Sequence, residues 1–189
     1  MIEFVFFGRG GQGAVTAAQV LATAAFREGK YSQAFPSFGP ERRGAPVTAY
    51  ARIDETPIVD RSQVDRADYL LVLDPKVLKT SNPLKTLRKN GCAILNVDRN
   101  MEQVCKETQK NVRKIYCIDA SSISEKLYGK KPIPLTNVAM LGAFAAISSV
   151  VRLKTILETI DHFFSGEDAD KSKKAALMAN EEMKEVKAS

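Results

Sequence analysis

The stretch Ile2-Glu3-Phe4-Val5-Phe6-Phe7-Gly8-Arg9-Gly10-Gly11-Gln12-Gly13-Ala14-Val15 decides the fold class of this 189-residue chain. Its first six residues are a short, mostly apolar run of the length of a buried strand. The run ends at a glycine cluster of the form G-x-G-x-x-G. Beyond the cluster, Val15, Ala18, Leu21, Ala22, Ala25 and Phe26 recur at helical spacing up to Gly29. Strand, glycine turn and helix in this order predict the opening of a Rossmann-type unit. Glycines let a ligand approach the main chain, and the free N–H groups of the following helix start favour an anion such as phosphate. Arg9 adds a charge-assisted donor. The same glycines also serve as a tight turn that does nothing but pack strand on helix. A nicotinamide site further requires an acid about 20 residues on, to hold the ribose. Tyr31-Ser32-Gln33-Ala34-Phe35-Pro36 supplies none, and the nearest acid beyond is Glu41. NAD is therefore disfavoured, and a phosphate-bearing ligand and a structural turn both stay open.

Outward from this start, Gln33 to Pro46 reads as irregular, with three prolines and two glycines. Val47–Ile53 alternates like a strand, and Asp54-Glu55-Thr56 reads as a turn that returns Ile58-Val59 as an antiparallel partner. A strand–helix rhythm follows. Tyr69–Leu73 closes at Asp74, with Pro75 in the first turn of a helix that Asn82-Pro83 breaks and Asn90-Gly91 ends. Cys92–Val97 closes at Asp98 before a helix over about 101–109, and Lys114–Ile118 closes at Asp119 before a short helix capped by Ser121 or Ser122. The last third is helical, with apolar stripes at Met140, Phe144, Ile147 and Val151 and at Leu153, Ile156, Leu157, Ile160 and Phe164. Gly166 reads as a stop. These elements predict an α/β fold: a three-layer, Rossmann-like, mostly parallel sheet with a small antiparallel strand region and a helical C-terminus. Residues 1–189 form one domain, with 167–189 as a charged C-terminal helix.

Composition narrows the function. Hydrophobic residues make up 44% and charged residues 26%, enough apolar material for one core. No apolar run reaches the ~18–20 residues of a membrane span, and Glu3 stands where a signal peptide carries positive charge, so a cytoplasmic location is expected. Lys and Arg number 28 against 22 acids, a net +6 that calls for an anionic partner. The lysines lack the aromatic interleaving of single-strand binders, which argues against nucleic acid. Cys92, Cys105 and Cys117 are separated by 12 and 11 intervening residues with no CxxC pair, which argues against a zinc site or an iron–sulfur cluster held within the chain. Three thiols in a reducing compartment are expected rather than a disulfide. The single histidine, His162, sits late in a helical pattern and reads as a helix-end residue. No catalytic residue and no metal ligand is assigned.

Two further stretches carry information. In Phe38-Gly39-Pro40-Glu41-Arg42-Arg43-Gly44-Ala45-Pro46-Val47, two arginines in a loop of restricted freedom form a donor array for phosphate or carboxylate. Glu41 instead pairs with one of them if the loop is merely held in shape. In Pro132-Ile133-Pro134-Leu135-Thr136-Asn137-Val138-Ala139-Met140-Leu141-Gly142-Ala143-Phe144, a proline stretch leads into a helix that Thr136 or Asn137 caps, and Gly142 allows close approach by another backbone.

Together the F-x-G-R-G-G-Q-G-A-V-T-A-A start, the A-F-P-S-F-G-P-E-R-R-G-A-P-V-T-A loop and the T-N-x-x-M-L-G-A helix start resemble the gamma subunit of 2-oxoacid:ferredoxin oxidoreductases, most closely the pyruvate and 2-oxoisovalerate enzymes. The likeness runs from residue 2 to about 165. It implies a subunit of pyruvate:ferredoxin oxidoreductase (pyruvate synthase), a hetero-oligomer that oxidatively decarboxylates a 2-oxoacid to acyl-CoA and passes the electrons to ferredoxin. It also implies that thiamine diphosphate, Mg and the iron–sulfur clusters sit in the alpha, beta and delta partners. This chain alone then binds no cofactor and is not active by itself, while coenzyme A is a substrate of the assembly. Arg9, Arg42 and Arg43 are candidates to meet the CoA phosphates. The binding set comprises Gly8, Arg9, Gly10, Gly11, Gln12, Gly13, Glu41, Arg42, Arg43 and Asn137. The competing reading is an independent phosphate- or dinucleotide-binding Rossmann-type protein.

Overall fold

In the computed structural model, which describes residues 1–37, 46–74, 76–78, 82–97 and 114–186, the opening apolar run becomes β1 (Ile2–Arg9), with Glu3–Phe6 buried. Then follow α1 (Ala14–Arg27), β2 (Tyr31–Pro36), β3 (Pro46–Asp54), β4 (Ala67–Val72), β5 (Leu87–Asn96) and β6 (Lys114–Ile118). The last third holds α2 (Ala120–Tyr128), α3 (Asn137–Ile147), α4 (Leu153–Ile160), α5 (Gly166–Glu182) and β7 (Lys184–Val186). The described strands form one sheet in the order β2-β3-β1-β4-β5-β6-β7. β1, β4, β5 and β6 are parallel neighbours. β3 is antiparallel to β1, β2 to β3, and β7 to β6. The expected α/β class, a mainly parallel sheet with an antiparallel region, is the one observed. β2 runs in the same direction as β1, but β3 lies between them.

Side chains alternate across each strand, so each face of the sheet collects its own core. Phe4 and Phe6 of β1, Leu71 of the adjacent β4 and Ile94 of β5 face a cluster to which all five described α-helices contribute. Val5, Leu70, Val72, Ala93, Leu95 and Ile115 face a second cluster closed by Val64 and Val77 from connecting segments. The five α-helices named above cover the first face, and the helical Val77 and Leu78 pack on the second. α1 lies close to the sheet because Ala17, Ala18, Ala24 and Ala25 are fully buried. Phe4, Tyr69 and Phe144 join β1, β4 and α3, with ring centroids 5.1–5.4 Å apart. α5 packs on α3, where Gly142 meets the backbone of Ala176.

Several local expectations are corrected. Gln33–Pro36, expected as the start of an irregular segment, belongs to the edge strand Tyr31–Pro36, whose half-exposed side chains give no apolar signal. Ile58-Val59 is not a strand, because both edges of β3 are already taken by β1 and β2. Val59 is 88% exposed. β5 begins at Leu87 rather than Cys92, and its register against β4 shifts between the pairs Ala67–Leu87 and Tyr69–Cys92, so Asn90-Gly91 lie inside a strand and do not end a helix. Asp119, not a serine, caps α2 by accepting from the Ser122 N–H at 2.9 Å. Gly166 starts α5 instead of stopping a helix. The charged segment 167–189 is helical to Glu182 and then adds β7 to the sheet edge. Cys117 is disulfide-bonded rather than a thiol, while Cys92 keeps its thiol, buried in the core. The helix expected over 101–109 lies outside the described residues.

A buried ion-pair network holds the segment after β3. Arg52, 1% exposed, donates from Nε to Glu3 Oε1 at 2.9 Å and from Nη1 to the Asp60 carbonyl at 3.2 Å. Arg88 donates to the other Glu3 oxygen at 2.6 Å and to Asp68 at 2.7 Å. The guanidinium of Arg52 also lies 5.5 Å from the centre of the Phe35 ring.

Candidate functional site

The glycine loop sits at the carboxyl end of β1, next to the carboxyl end of β4, the side of an open α/β sheet where ligands bind. The Gln12 N–H bonds the Arg9 carbonyl at 3.0 Å, closing a tight turn, and Gly13 starts α1 with φ +79°. Gln12, 1% exposed, folds back: its Oε1 accepts from the Arg9 N–H at 2.7 Å, and its Nε2 donates to Asp74 at 3.3 Å. Asp74 also accepts from Arg9 Nε and, through its other oxygen, from the Lys76 N–H at 2.9 Å. Arg9, Gln12 and Asp74 thus form a closed ring of contacts. The ring tethers the Arg9 guanidinium by one nitrogen and leaves its terminal pair without a bond among the described residues. That half-neutralised arginine is a directed donor rather than a loose charge.

The same corner gathers the starts of three helices. Thr136 Oγ1 donates to the Leu73 carbonyl at 3.5 Å, and Asn96 Nδ2 donates to that carbonyl at 2.7 Å. Asn96 Oδ1 accepts from the Ser121 N–H at 3.2 Å, drawing α2 to the end of β5. Asn137, the first residue of α3, stands against Gly13: a Cβ added at residue 13 would lie 2.5 Å from Asn137 Nδ2. Glycine is required there by space and by backbone angle together. Gly13→Ala is therefore expected to cost about 1–3 kcal/mol, more than Gly29→Ala, whose φ is also positive but whose Cβ meets nothing within 4 Å. Urea midpoints for the two variants check this, and equal losses would mean that Asn137 moves aside freely.

Gly8, Arg9, Gly10, Gly11, Gln12, Gly13 and Asn137 are brought together at this corner. Glu41, Arg42 and Arg43 lie outside the described residues. Asp74 was legible only as one of several strand-closing aspartates, and nothing in its local sequence marks it as the partner of Arg9. His162 stands against the Arg27 side chain at the far end of α1. Among the described residues, no three metal-ligating side chains stand together, and no helix is long and apolar enough to cross a membrane. β3 occupies the place beside β1 where the second parallel strand of a dinucleotide half-site would lie.

The family model for pyruvate ferredoxin/flavodoxin oxidoreductase matches residues 3–182. The chain belongs to this family. It is 47% identical over 176 residues to the pyruvate/ketoisovalerate oxidoreductases common subunit gamma of Thermococcus kodakarensis, covering 93% of this chain and 94% of that one. It is 43% identical over 187 residues to the pyruvate synthase subunit PorC of Methanothermobacter thermautotrophicus, covering 99% and 98%. The crystal structure of the pyruvate oxidoreductase subunit PORC of Thermotoga maritima superposes with a TM-score of 0.81 at 32% identity, over 98% of both chains. These relatives are named as subunits, which supports the subunit reading over an independent dinucleotide-binding protein.

Proposed function

We propose that the chain is the gamma subunit of a pyruvate or 2-oxoisovalerate:ferredoxin oxidoreductase, working beside alpha, beta and delta subunits. The near-full-length identity to a common gamma subunit and to PorC chains carries this reading. Thiamine diphosphate with Mg and the iron–sulfur clusters belong to the partners, which oxidise the 2-oxoacid and hand electrons to ferredoxin. This chain contributes donors to coenzyme A, the acyl acceptor. The tethered Arg9 favours that role, since its terminal nitrogens match a phosphate in bidentate geometry. Purification of the tagged chain from its native host should bring down three further subunits, with iron–sulfur absorbance and bound thiamine in the complex. Turnover of pyruvate, CoA and ferredoxin by the isolated chain would overturn the division of labour.

The coenzyme A role has its own test. Arg42 and Arg43 replaced together by alanine should raise the Michaelis constant for CoA about ten-fold or more in the assembled enzyme, the loss of at least one charge-assisted hydrogen bond of about 1.5 kcal/mol. The thermal stability of the chain should change little. An unaltered constant for CoA would remove these arginines from the CoA site.

A further inference from the structure

A pocket opens at the opposite end of the sheet, where β1, β4 and β6 begin. Along β1 it lies about 20 Å from the glycine loop, given the rise of an extended residue. Its volume is 330 Å³, at the lower end of the range of small-ligand sites. Ile2, Tyr69, Tyr116 and Ile147, the last residue of α3, form its apolar walls, and Asp68 and Lys114 line it as well. Lys114 stands in one row with Cys92 and Tyr69 across β6, β5 and β4.

The two charges decide what the pocket can hold. Lys114 is exposed and forms no ion pair among the described residues, not even with the Asp68 that lines the same cavity. The Asp68 carboxylate takes two contacts from Arg88 Nη1, at 2.7 and 2.9 Å, and one from the Glu3 N–H at 2.9 Å. A carboxylate offers about four acceptor positions, so Asp68 can take a further donor. A simple carboxylic acid in the pocket would be attracted by Lys114 and repelled by Asp68, and a simple amine the reverse. A ligand carrying both charges satisfies both groups. β4 and β6 are separated by β5, about 9–10 Å at ordinary strand spacing. That gap accommodates two hydrogen bonds of about 2.9 Å with the ammonium and carboxylate of one α-carbon between them. The carbonyl end of α3, which carries partial negative charge, meets the pocket at Ile147 and holds no basic residue in its last turn.

We propose that this pocket binds a small apolar α-amino acid. Lys114 Nζ donates to its carboxylate, Asp68 accepts from its ammonium, and its side chain lies against Ile2, Tyr69 and Ile147. The site is separate from the glycine loop and rests on the pocket alone, not on the function proposed above.

The test is calorimetric titration of the full chain with leucine. Tyrosine emission gives a second readout, because the chain has no tryptophan and Tyr69 and Tyr116 line the pocket. Leucine should bind saturably and change the emission. Isocaproate, which lacks the ammonium, and isoamylamine, which lacks the carboxylate, should each bind at least ten-fold more weakly, the loss of one charge-assisted hydrogen bond. Lys114→Gln should weaken leucine about ten-fold. It should leave isoamylamine binding and the melting temperature unchanged, a selectivity that general damage to the fold would not give. Absence of saturable leucine binding, equal binding of all three compounds, or an unaltered leucine affinity in Lys114→Gln overturns the site. Leucine that binds the chain but not the assembled complex also overturns it, and assigns the pocket to a partner subunit instead.

Discussion

Arg52→Ala is expected to lower the unfolding free energy by about 3–5 kcal/mol, the range for breaking a buried ion pair from one side. Arg52 is 1% exposed and Glu3, its partner on β1, 8%. Truncation removes the bond to Glu3 and the bond that holds the Asp60 carbonyl, and it leaves a cavity beneath Phe35. Arg88 still reaches Glu3 from a more exposed position, which limits the loss without cancelling it. A loss of this size is a large share of the 5–15 kcal/mol typical of a domain. Urea unfolding should show a lower midpoint with an unchanged slope. Glu3→Gln added to Arg52→Ala should recover part of the loss, since the stranded charge is then gone. A loss below about 1 kcal/mol, on the scale of an exposed pair, would show that the network is solvated in solution.

Gly142→Ala should be nearly as damaging, by about 2–3 kcal/mol after allowing for the better helix propensity of alanine. A Cβ at this position would stand 2.0 Å from the Ala176 carbonyl oxygen and 2.6 Å from the Ala176 Cα. Both atoms belong to the backbone of α5, so no rotamer change relieves the overlap and the helices must move apart. Asn180, which donates to the Gly142 carbonyl at 3.0 Å, would lose its partner as they did. The expected readout is a lower urea midpoint together with faster proteolysis within α5. Ala176→Gly should not rescue the variant, because the obstruction is main chain. Rescue by that second change, or an unchanged midpoint, would show that the two helices are not closely seated.

Local signals were the legible ones. The apolar run Ile2–Phe7, the glycines that follow and the alanine-rich helix read directly as β1, turn and α1, because strand and helix periods and positive φ are properties of a few neighbouring residues. Thr136-Asn137 marked a helix start for the same reason. β2 escaped because an edge strand with half-exposed side chains, Tyr31-Ser32-Gln33-Ala34, needs no apolar alternation. The insertion of β3 between β1 and β2 escaped because pairing order is settled by contacts between distant segments.

The sequence by itself determined the α/β class, the glycine turn and, through a likeness spread over nearly the whole chain, the family. Tertiary structure alone decided that Arg9 is tethered to Asp74, that Gln12 braces the turn from beneath, and that Asn137 stands at the start of α1. Turn and helix signals are written in consecutive residues. Which carboxylate meets which arginine depends on how strands and helices pack, and no stretch of neighbouring residues carries that.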